Sequence, residues 1–271
     1  MKFGISTASF YPQLTETTVR SLGERGVELT EVFVNTISEL EPDYLRELRR
    51  LADGYGLRIG SLHPFTCAFE PFMLFTHYDR RLKDGLEMHR RYFEAMNLLG
   101  AGIFVFHGDK WRGPSGKSVT SDEEYFERFA MLRDLGRTFG VTVAQENVER
   151  CRSRSVPFLK EMIRFLDGDV ALVFDNKQAL RSGVDYRDYL RELGRHVVHV
   201  HISDNGKKGD CLPLGEGDLD VGELLGLLKS GGFDGGVIVE LYGERMASGE
   251  PVFESWKRLK ALYGEFESGC R

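Results

Sequence analysis

Residues 197–205, Val-Val-His-Val-His-Ile-Ser-Asp-Asn, decide how the rest of the chain is read. Alternation puts Val197, His199, His201 and Ser203 on one face of a β-strand and Val198, Val200 and Ile202 on the other. Both faces read as buried, which predicts a parallel sheet or barrel covered by helices. His201 then stands near the carboxyl end of the strand, just before the polar run Ser203-Asp204-Asn205, where α/β barrels keep their chemistry. Taken alone, it reads first as a core imidazole hydrogen-bonded to a neighbour.

Working outward, strand-like and helix-like runs alternate along the chain. The predicted strands are Phe3–Thr7, Leu29–Asn35, Leu57–His63, Gly102–His107, Val141–Glu146, Val170–Asp175, the opening stretch and Val237–Leu241. Helices are predicted over Thr15–Arg25, Pro42–Tyr55, up to Leu99, Asp122–Phe139, Val156–Leu166, Tyr186–Leu193, after Asp220 and over Glu254–Leu262. Pro42 suits a first helical turn, and Asp220 with Glu223 has capping-box spacing. Gly206–Asp218 reads as a loop. Strand then helix, eight times over, predicts an α/β fold, a single (β/α)8 barrel over residues 1–271.

Bulk properties agree. At 271 residues and 41% hydrophobic, the chain can bury a full core as one domain. A net charge of −6 and a pI near 5.7 argue against a general affinity for nucleic acid, which needs a basic footprint. Neither a signal-peptide layout nor a membrane-length apolar run is present in the sequence, and Cys67, Cys151, Cys211 and Cys270 lack C-x-x-C spacing. The expectation is a cytoplasmic protein with free thiols, away from membranes.

Six predicted strands finish on residues able to bind metal or move protons: His63, His107, Glu146, Asp175, His201 and Glu240. Each has an ordinary structural reading, such as a turn cap for Asp175 or a rim ion pair for Glu240. Barrel strand ends converge on one mouth, however, so their coincidence predicts a metal site. Glu146, Asp175, His201 and Glu240 supply three carboxylates and one imidazole, a set suited to one Mn²⁺, Mg²⁺ or Co²⁺ ion and tolerant of Zn²⁺. His63 and His107 either help hold a second ion or hydrogen-bond a substrate hydroxyl.

The ordered motifs HPF (63–65), HGD (107–109), QEN (145–147), FDN (174–176), HVHISDN (199–205), LGEG (214–217) and VELY (239–242) resemble the xylose isomerase-like barrel superfamily. That group contains sugar isomerases and epimerases, hydroxypyruvate isomerase, inosose dehydratase and endonuclease IV. By resemblance to its ketose 3-epimerases, Glu146, Asp175, His201 and Glu240 would hold one divalent ion, and Glu146 and Glu240 would be the acid–base pair. The implied reaction is isomerisation or epimerisation of a sugar, sugar phosphate or keto-polyol, through proton abstraction next to a carbonyl and an enediolate. Dehydration of a cyclic keto-polyol, cleavage at abasic DNA and non-catalytic sugar binding are the other readings.

Departures from the family pattern narrow these readings. Gln178 stands where ketose epimerases and endonuclease IV carry a histidine, and Asp210-Cys211-Leu212 replaces the nuclease's Asp-x-His. Both changes argue against a trinuclear zinc centre. The epimerases' substrate-binding arginine after the seventh strand is not evident here, and Lys207 and Lys208 are the nearest cations. The expected substrate contacts are Gln178, Trp111, Lys177 and Asp204, with Trp111 either stacking on a sugar or simply packing. Arg112 and Lys117 read as solvated loop charges. Phe69, Phe72, Phe75 and Tyr78 form an aromatic stripe expected in the core or at a subunit interface, a homodimer included, with a lid over the mouth as the sharper alternative.

Overall fold

The computed structural model describes residues 1–113, 116–243 and 249–268. Eight parallel strands close into a barrel: β1 (Lys2–Ser6), β2 (Leu29–Phe33), β3 (Arg58–His63), β4 (Ile103–Phe106), β5 (Thr142–Glu146), β6 (Ala171–Asp175), β7 (Val197–Ile202) and β10 (Gly236–Val239). All eight predicted strands are found, with ends shifted by up to three residues. Closure runs through β1 and β10, where Lys2 to Ile5 pair in register with Gly236 to Val239.

The helices follow in turn: α1 (Thr15–Glu24), α2 (Pro42–Gly54), α3 (Glu70–Met73), α4 (Asp79–Leu99), α5 (Asp122–Thr138), α6 (Val156–Phe165), α7 (Asn176–Arg181), α8 (Tyr186–Leu193), α9 (Val221–Ser230) and α10 (Glu250–Glu267). Pro42 does open α2, and Ser121 with Glu124 forms a reciprocal capping box on α5. The box expected at α9 is only half made. Asp220 accepts from the Glu223 amide, but the Glu223 carboxylate turns away to Arg187 and Tyr186.

Side-chain alternation divides the core. Outward residues such as Phe104, Phe106, Phe174, Val200 and Val239 pack under the helices in one large apolar shell. Inside the barrel Val105, Ala144 and Val173 form a small separate apolar cluster. Much of the remaining interior is polar: Glu31, Ser61, His199 and His201 are all buried.

Two segments differ from expectation. The loop after β7 contains an antiparallel hairpin, β8 (Asp204–Gly206) with β9 (Gly209–Leu212). The aromatic stripe splits: Phe75 stacks on Tyr125 at 4.4 Å in the core, whereas Phe69, Phe72 and Tyr78 stay more than half exposed. Helix-like spacing fails there because the segment breaks into a short 3-10 turn and the four-residue α3. Cys67, Cys151 and Cys211 are free thiols, and Cys270 lies outside the described residues. Among the described residues no helix is long and apolar enough to cross a membrane.

Candidate active site

The mouth is assembled from strand ends that side-chain amides hold in register. Asn147, just past β5, donates to the Asp175 carbonyl at 2.9 Å and accepts from the Asp175 amide at 2.7 Å. Asn176 does the same for Ser203, at 2.9 and 3.0 Å. Each amide imitates one more peptide of the parallel ladder, fixing β5, β6 and β7 where their functional residues begin. These asparagines are the last letters of the QEN and FDN motifs, whose role the sequence alone does not reveal.

Glu146, Asp175, His201 and Glu240 converge there, all buried. His201 Nδ1 lies 3.5 Å from Glu146 Oε1 and 3.6 Å from Glu240 Oε2. One donor atom each of Glu146, Asp175 and His201 lies within 4.8 Å of the others. Each of the four residues has one buried atom with no aligned hydrogen-bond partner: Glu146 Oε2, Asp175 Oδ2, His201 Nδ1 and Glu240 Oε1. Buried polar atoms are rarely left so. Oxygen and imidazole donors in this number fit a divalent ion.

Beneath them lies a residue the sequence reading passed over. Glu31, mid-β2 and fully buried, receives His199 Nε2 and Ser61 Oγ at 2.9 Å each, and lies 3.1 Å from His201 Nε2. An Nε2–H donated to Glu31 leaves the Nδ1 lone pair of His201 facing the carboxylates, the arrangement a metal-binding imidazole needs. The available signal was a carboxylate inside the strand-like run Leu-Thr-Glu-Val-Phe. Burial opposes charge on His201, but Glu31 and Glu240 outweigh it and hold the imidazole well above its ordinary value. Burial likewise opposes charge on Glu146, and His107 then His201 pull it well down.

Lys177 is the unusual member. Its ammonium is buried, 3.3 Å from Asp175 Oδ2 and 3.4 Å from Glu240 Oε2, and sits 4.4 Å over the Tyr242 ring. Burial would depress it, but Asp175 and Glu240 prevail and keep it charged. Burial in turn raises Asp175 despite Lys177.

His63 and His107 border the cup on the β3–β4 side, their Nε2 atoms 2.9 Å apart, so one ring donates and the other accepts. His107 Nε2 is 2.8 Å from Glu146 Oε2. Burial, then the charge of His107, pushes His63 down to about 4. Cys67 brings a third donor atom within 4.8 Å of this pair. Glu70, on α3, latches the insertion to the mouth: its Oε2 accepts from the amides of His107 at 3.1 Å and Gly108 at 2.6 Å. Gly108 has φ +82°, and a Cβ there would meet Tyr125 Oη at 2.0 Å, so only glycine carries the chain past this point.

Of the remaining expected substrate contacts, Gln178 and Asp204 are engaged by backbone amides, and Trp111 keeps one ring face open. Gln178 Oε1 accepts from the Glu149 amide at 3.0 Å, and its own amide caps on Asp175 Oδ1. Trp111 carries the Arg154 guanidinium 4.1 Å over its ring, leaving one face for another group. Asp204 is buried with both oxygens taken by the backbone amides of Asn205, Gly215, Gly217 and Leu219; it organises the β7 loop. Its polarity in the sequence reflects a turn-building role.

Residues 17–262 match the family described as xylose isomerase-like TIM barrel. The uncharacterized protein MJ1311 of Methanocaldococcus jannaschii is 24% identical over 251 residues, spanning 89% of this chain and 83% of the relative. The solved structure of a D-tagatose 3-epimerase-like protein superposes with a TM-score of 0.81 at 22% identity, covering 100% of both chains. The IOLI protein, solved with a bound zinc atom, gives 0.75 at 19% identity over 99% of each chain. The matched span takes in every strand of the barrel after β1 and the whole carboxylate cup, and by it the chain belongs to the xylose isomerase-like TIM barrel family.

Proposed function

We propose that this protein is a divalent-metal-dependent isomerase or epimerase of a small ketose or keto-polyol. One observation carries the reading: among the buried atoms without aligned hydrogen-bond partners, four belong one each to the converging residues Glu146, Asp175, His201 and Glu240. An ion held by these residues would supply Lewis acidity that eases loss of a proton beside a carbonyl.

The three carboxylates are not equivalent. Asp175 Oδ1 caps α7 by accepting from the Gln178 amide, so that carboxylate is fixed. Glu146 and Glu240 accept from no backbone amide among the described residues, and both reach toward His201 from different strands. They are the groups free to exchange a proton with substrate, one removing it from the carbon next to the carbonyl and the other returning it. Lys177, charged between Asp175 and Glu240, stabilises negative charge developing on a substrate oxygen.

The test is proton exchange. Protein loaded separately with Mn²⁺, Mg²⁺, Co²⁺ or Zn²⁺ is incubated with a ketose panel in deuterated water and followed by NMR, with bound metal measured by elemental analysis. Deuterium at the carbon beside the carbonyl, lost in Glu146→Gln and Glu240→Gln, is expected. Loss of a β-hydroxyl instead reassigns the protein to dehydration, which begins with the same abstraction. Absence of exchange with every ion and ketose overturns the proposal.

A further inference from the structure

We infer that the substrate carries an anionic group, a phosphate monoester or a carboxylate, at the end remote from its carbonyl, and that Lys110 and Arg150 receive it. The inference rests on the isomerase reading for where the carbonyl end lies.

A cavity of about 460 Å³ opens beside the carboxylate cup, with Cys67, Pro71, His107, Lys110, Trp111 and Arg150 in its wall. That size is within the range of small-molecule sites. His107 belongs to both spaces: it lines the cavity, and its Nε2 stands 2.8 Å from Glu146 Oε2. A molecule whose reacting carbon lies at Glu146 and which runs past His107 therefore ends in this cavity.

The charge of the wall is the second observation. The chain is acidic overall, and many of its surface cations are matched, as in Arg25–Glu250, Arg49–Asp53, Arg181–Asp210 and Arg187–Glu223. Lys110 and Arg150 have no carboxylate within ion-pair distance among the described residues; the Lys110 ammonium instead lies 5.3 Å over the Phe72 ring. Glu149 also lines the cavity, but its Oε1 faces Arg154 Nη1 at 3.8 Å, and that guanidinium is stacked on Trp111. Behind the wall, Asp109 is buried 3.7 Å from Arg152. Burial pushes the Cys151 thiol up to about 12, so it adds no negative charge. Two uncompensated cations beside an aromatic face make a receptor for an oxyanion on an otherwise acidic protein. On the β7 side of the mouth Arg181 is paired with Asp210.

The experiment compares D-fructose, D-fructose 6-phosphate and the keto-acid D-fructuronate, which share a carbonyl end and differ in charge at the other. Dissociation constants are measured by calorimetry on the metal-loaded protein, on Lys110→Gln/Arg150→Gln, and on the charge-keeping Lys110→Arg/Arg150→Lys, with inorganic phosphate as a separate probe. At least one anionic ligand is expected to bind about tenfold or more tightly than fructose, as charge-assisted hydrogen bonds imply. That ratio should fall near one in the double glutamine variant and return in the charge-keeping variant. The phosphate and carboxylate arms tell which anion is preferred. Equal binding of all three ligands overturns the inference, and so does a preference that survives in the glutamine variant. If inorganic phosphate binds through Lys110 and Arg150 while no ketose exchanges its proton, the isomerase reading fails and the anion site stands. Exchange of neutral fructose without anion preference gives the reverse result.

Discussion

The floor of the barrel and its mouth are built from the same residue types and finished in opposite ways. At the floor, Glu31 gathers Ser61, His199 and His201 into a closed network. A few ångströms higher, Glu146, Asp175, His201 and Glu240 leave four buried atoms unaligned. A satisfied network in a low-dielectric interior rigidifies what it holds. Buried atoms left without an aligned hydrogen bond cost about 1–3 kcal/mol each, a cost that the contacts of Glu146 Oε2 with His107 and of Asp175 Oδ2 with Lys177 offset in part. His201 belongs to both layers, anchored through Nε2 and presented through Nδ1.

The comparison breaks most visibly through the mouth. Glu146→Gln or Glu240→Gln should lower turnover by about 10²–10⁴-fold, the usual loss of a general acid or base. In metal-free protein the same changes should lower the unfolding midpoint, because buried cations hold both carboxylates ionised, His107 and His201 beside Glu146 and His201 and Lys177 beside Glu240. Glu31→Gln should cost more stability, since it opens a network in which every partner is engaged. Removing one partner of a buried pair costs about 3–5 kcal/mol, read by denaturant titration. Loss of the carboxylate orienting His201 should weaken divalent-ion affinity about 10–100-fold, read by calorimetry. If Glu146→Gln destabilised the metal-free protein as much as Glu31→Gln, the two layers would not differ in kind.

A third test uses pH at the rim. Burial pushes the Glu70 carboxyl up from its ordinary 4.5 to about 8, although the amides of His107 and Gly108 favour its charge. The folded state then binds a proton more tightly than the unfolded chain. Glu70's contribution to stability is complete below about pH 4.5 and is lost as pH rises through 8. The slope in that window is at most about 1.4 kcal/mol per pH unit. Glu70→Gln should flatten that part of the stability curve, and an unchanged curve would show that the insertion is not latched through this carboxyl.

What the sequence made legible follows from what repeats. Strand periodicity recurs around the barrel, so the eight strands and their shared mouth could be read from alternation and from residues such as Glu146, Asp175 and His201 at the ends. Glu31 escaped because it lies mid-strand, where nothing local distinguishes a carboxylate that pairs across the barrel with β7 from one on an exposed edge. The sequence marks Lys177 as a substrate contact but not its neighbours: its ammonium lies between Asp175 and Glu240, a consequence of α7 beginning directly after β6. The hairpin β8–β9 and the split aromatic stripe depend on tertiary contacts that no helical or strand period encodes.

Asp204 gives the smallest effect and the sharpest discrimination. Its four bonds all come from backbone amides, at 2.7 to 3.1 Å, and tie Gly215, Gly217 and Leu219 to the end of β7. In Asp204→Asn one oxygen becomes an amide donor facing other donors, so two of the four bonds are lost and replaced by repulsion. The cost should be about 1–3 kcal/mol, confined to the loop. Hydrogen exchange should speed up at the amides of Gly215, Gly217 and Leu219, with kcat within a few-fold of the parent. A residue touching substrate would behave differently: KM would rise while those amides kept their protection. That outcome would return Asp204 to the binding site and move the boundary between the built loop and the open mouth.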